Sequence, residues 1–87
     1  MIEHTLPITL KLTGKNGLDP HVAAEFSITA AKFQSQISVT AHQHTVNGKS
    51  VAHVMSLGAQ HNDLIELHAE GEDAQAAINA LIAIIQK

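Results

Sequence analysis

The sequence predicts an α+β domain built as a two-layer sandwich, with the apolar face of a sheet covered by helices. Three observations predict it. Some short segments alternate apolar and polar residues, while others carry apolar residues at helical spacing. Each helical segment opens on residues that favour a helix start: Asp19-Pro20, Ser50, and Glu72-Asp73. The segments follow in the order strand, helix, two strands, helix, strand, helix.

Leu6, Ile8, Leu10 and Leu12 alternate with Pro7, Thr9 and Lys11, which predicts a half-buried first strand. Pro7 has no N–H to give a ladder, so it belongs at an edge or a bulge. Gly14 to Gly17 forms a loop. Asp19 is a preferred N-cap and Pro20 fits the first helical position. Val22, Phe26, Ala30 and Phe33 then recur at helical spacing with Ala23 beside them, predicting a helix to about Phe33. Ile37, Val39 and Ala41 mark a second strand, and a third covers His44 to Asn47. Ser50 caps a short helix carrying Val51, Val54, Met55 and Leu57, with Gly58 suited to its end. Ile65, Leu67 and Ala69 alternate with Leu64, Glu66 and His68 as the fourth strand, and Gly71 breaks the chain. Ala74, Ala77, Ile78, Leu81 and Ile85 form the stripe of a last helix. Ile82 and Ile84 widen that stripe, predicting extra burial or a partner surface, including contact with a second copy in a homo-oligomer.

With 87 residues, the chain has room for one modest core, so residues 1–87 read as a single domain. Hydrophobic residues at 45% and charged residues at 15% exclude an intrinsically disordered composition. The absence of cysteine excludes disulfides and thiolate metal sites. No apolar run is long enough to span a membrane, and no signal-peptide pattern opens the chain, so a cytoplasmic protein without membrane insertion is expected. The formal net charge is -3, arginine is absent, and Tyr and Trp are absent. That composition lacks the clustered positive charge and stacking platforms of nucleic-acid binders. Other proteins are the expected partners, and no cofactor is expected.

The stretch Asn16-Gly17-Leu18-Asp19-Pro20-His21-Val22-Ala23-Ala24 places a loop against a helix start. Helix starts attract anions through free N–H groups and the helix dipole, so a nucleophile here could carry a phosphoryl group. Asp19 and His21 are the two acceptor candidates. A carboxylate can act as a covalent nucleophile, but with phosphoryl groups it normally needs a metal or cationic clamp. Lys15 is the cation near in sequence. Asp19 equally reads as a simple N-cap. His21 reads as an exposed first-turn residue, as an imidazole nucleophile, or as an ion-pair partner of Asp19. His42 and His44 lie two apart and would share a face on a strand, but two histidines do not close a zinc site, so none is expected.

The order of elements and the helix starts carry a resemblance. Asn16-Gly17-Leu18 with Ala23-Ala24 is its first block. Val46-Asn47-Gly48-Lys49-Ser50 with Val54-Met55-Ser56-Leu57-Gly58 is the second, and Ala69-Glu70-Gly71-Glu72-Asp73-Ala74 the third. Together, nearly the whole chain resembles the histidine-containing phosphocarrier (HPr) family of the sugar phosphotransferase system. The resemblance implies an open-faced β-sandwich of βαββαβα order, with a four-stranded antiparallel sheet covered on one face by three helices. It implies an HPr-like domain over residues 1–87. Members take phosphate from the phosphoenolpyruvate-dependent enzyme I and pass it to sugar-specific acceptor domains, so no independent catalysis is expected. The family's histidine, small residue, arginine and proline after the Gly-Leu pair are here Asp19, Pro20, His21 and Val22.

Ser50 occupies the family's second functional position, which a serine kinase phosphorylates in some members so that the product binds a transcription regulator. Val51, Val54, Met55 and Leu57 are the expected docking residues around it. Ala52 and His53 depart from the family's frequent larger apolar residue and small residue there. The expected function is regulatory protein–protein docking, as in the HPr-like branch that lacks the histidine and keeps the serine. The alternatives are a working carrier using His21 or Asp19, and an oligomeric scaffold without phosphotransfer.

Overall fold

Alternation along the strands sets the architecture. In the computed structural model, which describes residues 3–4 and 7–86, with side chains from residue 7 onward, Ile37, Val39 and Ala41 are buried on one face of the sheet. Ile65, Leu67 and Ala69 are buried beside them. The elements are β1 (Glu3–His4), β2 (Ile8–Lys11), α1 (Pro20–Ala30), β3 (Gln36–Ala41), β4 (His44–Asn47), α2 (Val51–Ser56), β5 (Leu64–Gly71) and α3 (Ala74–Ile85). All pairings are antiparallel. The sheet runs β4–β3–β5, with β1 and β2 in line along the other side of β5, so it is four strands wide. Helices cover the apolar face with Ala23, Phe26 and Ala30 of α1, Val54 of α2, and Ala74, Ala77, Ile78, Leu81 and Ile85 of α3. Gln36, Ser38, Thr40, Glu66, His68 and Glu70 alternate with the buried strand residues and form the uncovered face.

Pro7 explains why the outer strand comes in two pieces. His4 pairs with Glu70 and Ile8 with Leu67, so the two pieces follow one another along the same side of β5. Pro7 stands just before β2, at the sheet edge where a proline is tolerated. Leu6, assigned to the same strand from the sequence, lies outside the described residues. Leu12 is buried at 1% just beyond the ladder, and its N–H donates to the Asp63 carbonyl at 2.9 Å. On α3, Ile82 and Ile84 are half-buried and pack against the core, so the extra width of that stripe is used internally.

Two corrections concern local structure. α1 ends at Ala30, short of Phe33. The Lys32 and Phe33 N–H groups reach back three residues, to the Thr29 and Ala30 carbonyls, which tightens and closes the helix. The chain then turns because Asp73 captures it. Its carboxylate accepts the Gln34 N–H at 2.8 Å, the Ser35 N–H at 2.9 Å and the Ser35 hydroxyl. The second correction concerns His42, which sits with Gln43 in the two-residue turn between β3 and β4, with φ of 51° and 67°. It therefore does not share a strand face with His44.

Both features yield predictions. A turn with two positive φ angles is the type that favours Asn-Gly, because L side chains are strained there. Gln43→Gly is expected to stabilise the fold by about 0.5–1 kcal/mol, read as a higher urea midpoint at unchanged slope. For Asp73, the Ser35 hydroxyl and then the Gln34 N–H hold the carboxyl below its ordinary value of 3.8. A carboxyl more acidic in the folded state stabilises above its unfolded pKa, and that stability is lost as pH falls through the folded value. Asp73→Asn is expected to lower stability at neutral pH and to flatten the loss below about pH 4, measured by urea melts at several pH values.

Candidate functional site

The β2–α1 loop, which leads into the Asp19 cap and the first turn of α1 with His21, is built against the α2–β5 loop. Gly17 has φ +63°, and a Cβ there would lie 2.6 Å from both the Ala59 carbonyl oxygen and the Gln60 Cα. The Leu18 N–H donates to the Ala59 carbonyl at 3.0 Å, and the Asn62 N–H to the Leu12 carbonyl at 2.9 Å. His61 Nδ1 bonds the Gly14 carbonyl at 3.0 Å. Asp63 in turn accepts the Gln60 N–H at 2.8 Å and bonds His42 Nε2 at 3.0 Å. The Gln60 N–H, helped by the His42 ring, holds the Asp63 carboxyl below its ordinary value. These histidines thus tie loops together, and among the described residues no three His, Asp or Glu side chains gather as metal ligands do.

At the helix start, Asp19 Oδ1 accepts the Val22 N–H at 2.8 Å, and its carbonyl accepts the Ala23 N–H at 2.8 Å. Pro20 has no N–H to offer. Of the N–H groups that usually greet an anion at a helix start, the one left is that of His21. The Asp19 carboxylate already occupies the anion-favouring position, so an incoming phosphoryl group meets a resident negative charge. His21 is exposed, and no hydrogen bond or ion pair joins it to Asp19 among the described residues. Two residues apart on a helix, the side chains diverge by about 200°.

His21 opens a shallow groove along the outer face of α1, lined also by Ala24, Glu25, Ile28, Thr29 and Lys32. Ile28 is 61% exposed. Sequence reasoning missed it because it was absent from the apolar stripe and had no other marker; a large apolar residue on the polar face was the available signal.

Ser50 caps α2, its hydroxyl accepting the His53 N–H at 3.3 Å. The four docking residues expected around it do not share one surface. Val54 is fully buried and Leu57 is 7% exposed, both facing the core, whereas Met55 is 40% exposed and Val51 is half-buried. Residues 54 and 57 are one short turn apart on the inner side of a helix that packs against α1. The surface patch beside Ser50 therefore narrows to Val51 and Met55.

Comparison with known proteins sets these features in context. Residues 7–87 match the family model for the PTS HPr component phosphorylation site. Phosphocarrier protein HPr of Buchnera aphidicola is 41% identical over 76 residues, covering 87% of this chain and 89% of that protein. The HPr-like protein Crh of Halalkalibacterium halodurans is 38% identical over 87 residues, covering 100% of this chain and 99% of that one. A crystal structure of HPr from Thermoanaerobacter tengcongensis superposes with a TM-score of 0.89 at 40% identity, covering 94% of this chain and 92% of the other.

Proposed function

The chain belongs to the HPr family of the phosphotransferase system, and from that premise we propose that it is a regulatory docking protein rather than a phosphohistidine carrier. The observation that carries this reading is the Asp19 carboxylate, hydrogen-bonded to the Val22 N–H at the start of α1; the family resemblance assigns that position to the acceptor histidine. That carboxylate caps α1 and repels a phosphoryl donor. Ser50 is the proposed switch, and Val51 and Met55 are the proposed contacts beside it. The similarity to an HPr-like protein Crh over the full length of both chains supports a place among regulatory members. A phosphate on Ser50 would add roughly two negative charges to this surface and alter which partners dock there.

A second reading has its own support. His21 is exposed, carries a nucleophilic ring, and stands at the helix start whose one remaining N–H is its own. Phosphoryl transfer to His21, or to Asp19, is the carrier alternative.

Phosphate chemistry separates the readings. The protein is incubated with phosphoenolpyruvate and enzyme I from the same source, and separately with ATP and the cognate serine kinase. Label is then mapped by mass spectrometry. The expected result is label on Ser50 that survives both acid and hydroxylamine. Acid-labile label on His21, or hydroxylamine-sensitive label on Asp19, establishes the carrier instead. An unmodified Ser50 in the kinase reaction removes the switch.

A further inference from the structure

The uncovered face of the sheet holds a trough of about 370 Å³, away from the start of α1 and reaching Lys49, the residue before the Ser50 cap. Its side chains stand in cross-strand rows. His68 of β5, Ser38 of β3 and Asn47 of β4 lie directly opposite one another, and Glu70 lies opposite Gln36. Lys49, two residues past Asn47, completes the lining at the β4 side. Ser38, the smallest of these residues, sits centrally with longer side chains around it. The volume falls within the range of small-molecule sites.

Chemistry narrows the ligand. His68 carries the one ring among the lining residues, and no Phe, Tyr or Trp stands beside it to make a broad stacking platform for a nucleobase. One ammonium faces one carboxylate, so a phosphate dianion meets no net positive field. Lys49 lies on the β4 side and Glu70 on β5, with β3 between them. Two inter-strand steps span roughly 10 Å, and both residues line that space. The Lys49 ammonium is held by the Phe33 carbonyl at 2.8 Å, which uses one of its three donors. The Asn47 carboxamide oxygen accepts the Lys49 N–H at 2.9 Å, which fixes that side chain and leaves its NH₂ to donate. A carboxylate has acceptor positions for several partners, so Glu70 can receive a ligand ammonium alongside the contacts it already makes.

We propose that this trough is a binding site for a small zwitterion of dipeptide length. The ligand carboxylate is received by Lys49 and the Asn47 amide, and the ligand ammonium by Glu70 and the Gln36 carbonyl oxygen. Ser38 and His68 meet the central peptide group. Two extended residues span about 7 Å, which matches a gap of two strand steps narrowed by the side chains at each end. The pairing of opposite charges at opposite ends discriminates a zwitterion from an anion, a cation or a neutral amide.

Titration of the ¹⁵N-labelled full chain with glycylglycine tests the site, with N-acetylglycinamide, acetate and ethylammonium as matched controls. The expected result is saturable shifts confined to residues 36–38, 46–49 and 68–70, with a dissociation constant on the order of 1 mM. Lys49→Met and Glu70→Gln are each expected to weaken glycylglycine binding by about tenfold. Ser38→Val fills the floor with a residue that suits a strand and is expected to abolish binding while the remaining spectrum stays native. Equal response to N-acetylglycinamide, acetate or ethylammonium overturns the zwitterion assignment. Absence of saturable shifts in a folded protein, or shifts unaffected by Ser38→Val, overturns the site.

Discussion

Gly17→Ala is expected to cost about 3 kcal/mol of stability, lowering the melting temperature by roughly 15 °C for a chain of this size. Two costs combine. The backbone at Gly17 has φ +63°, where an L side chain is strained. The added methyl would also lie 2.6 Å from the Ala59 carbonyl oxygen and the Gln60 Cα, both backbone atoms that no rotamer change can move. Relief requires the two loops to part, which breaks the bond from the Leu18 N–H to the Ala59 carbonyl. Two companion variants separate these terms. Gly58 has φ +62° with open space around it, so Gly58→Ala carries the strain alone, about 1 kcal/mol. At Gly14 nothing lies within 4 Å of the added Cβ, and alanine there is expected to be nearly silent. Urea unfolding of the three variants gives the comparison. Equal losses at Gly17 and Gly58 would show that the loop contact contributes nothing.

The same loop contact marks the boundary of what the sequence could disclose. Period-two alternation located β3 and β5 because each has one covered face, so every second residue must be apolar. The caps at Asp19 and Ser50 were legible because capping is a local bond spanning three residues. Contacts spanning many residues left no local trace. The end of α1 depends on Asp73, 38 and 39 positions away from the groups it binds, and helical spacing alone carried the expectation on to Phe33. The closeness of Gly17 to Ala59 is likewise a tertiary fact. The proposed docking patch narrows for a different reason. Val51, Val54, Met55 and Leu57 share an apolar character, whereas helical geometry sends Val54 and Leu57 inward and leaves Met55 on the surface. The identities of Asp19 and His21 were plain in the sequence. What the structure adds is that the Asp19 carboxylate is already engaged.

If the engaged Asp19 carboxylate is what bars phosphate, as proposed, the triple variant Asp19→His, Pro20→Ala, His21→Arg is expected to accept phosphate from enzyme I. Its labelling rate should exceed that of the native chain by at least about 100-fold. Each change answers one obstacle. Asp19→His replaces an anion that repels the donor with a neutral nucleophile, and it releases the Val22 N–H at present held at 2.8 Å. Pro20→Ala restores an N–H at the first helical position. His21→Arg supplies a planar cation suited to two phosphate oxygens. Three N–H groups, of residues 20, 21 and 22, then face the site where the native chain has one free. The loss of the cap costs about 1 kcal/mol, so the variant is compared at a temperature where circular dichroism shows it fully folded. Asp19→Ala serves as the control: it removes the charge and the cap without adding a nucleophile, and it should stay unlabelled. Acid-labile label on residue 19 of the triple variant alone is the expected outcome. A folded triple variant that labels no faster than the native chain would show that the turn alone does not decide acceptance, and would move the explanation elsewhere on the surface, where Ile28 and Met55 stand exposed.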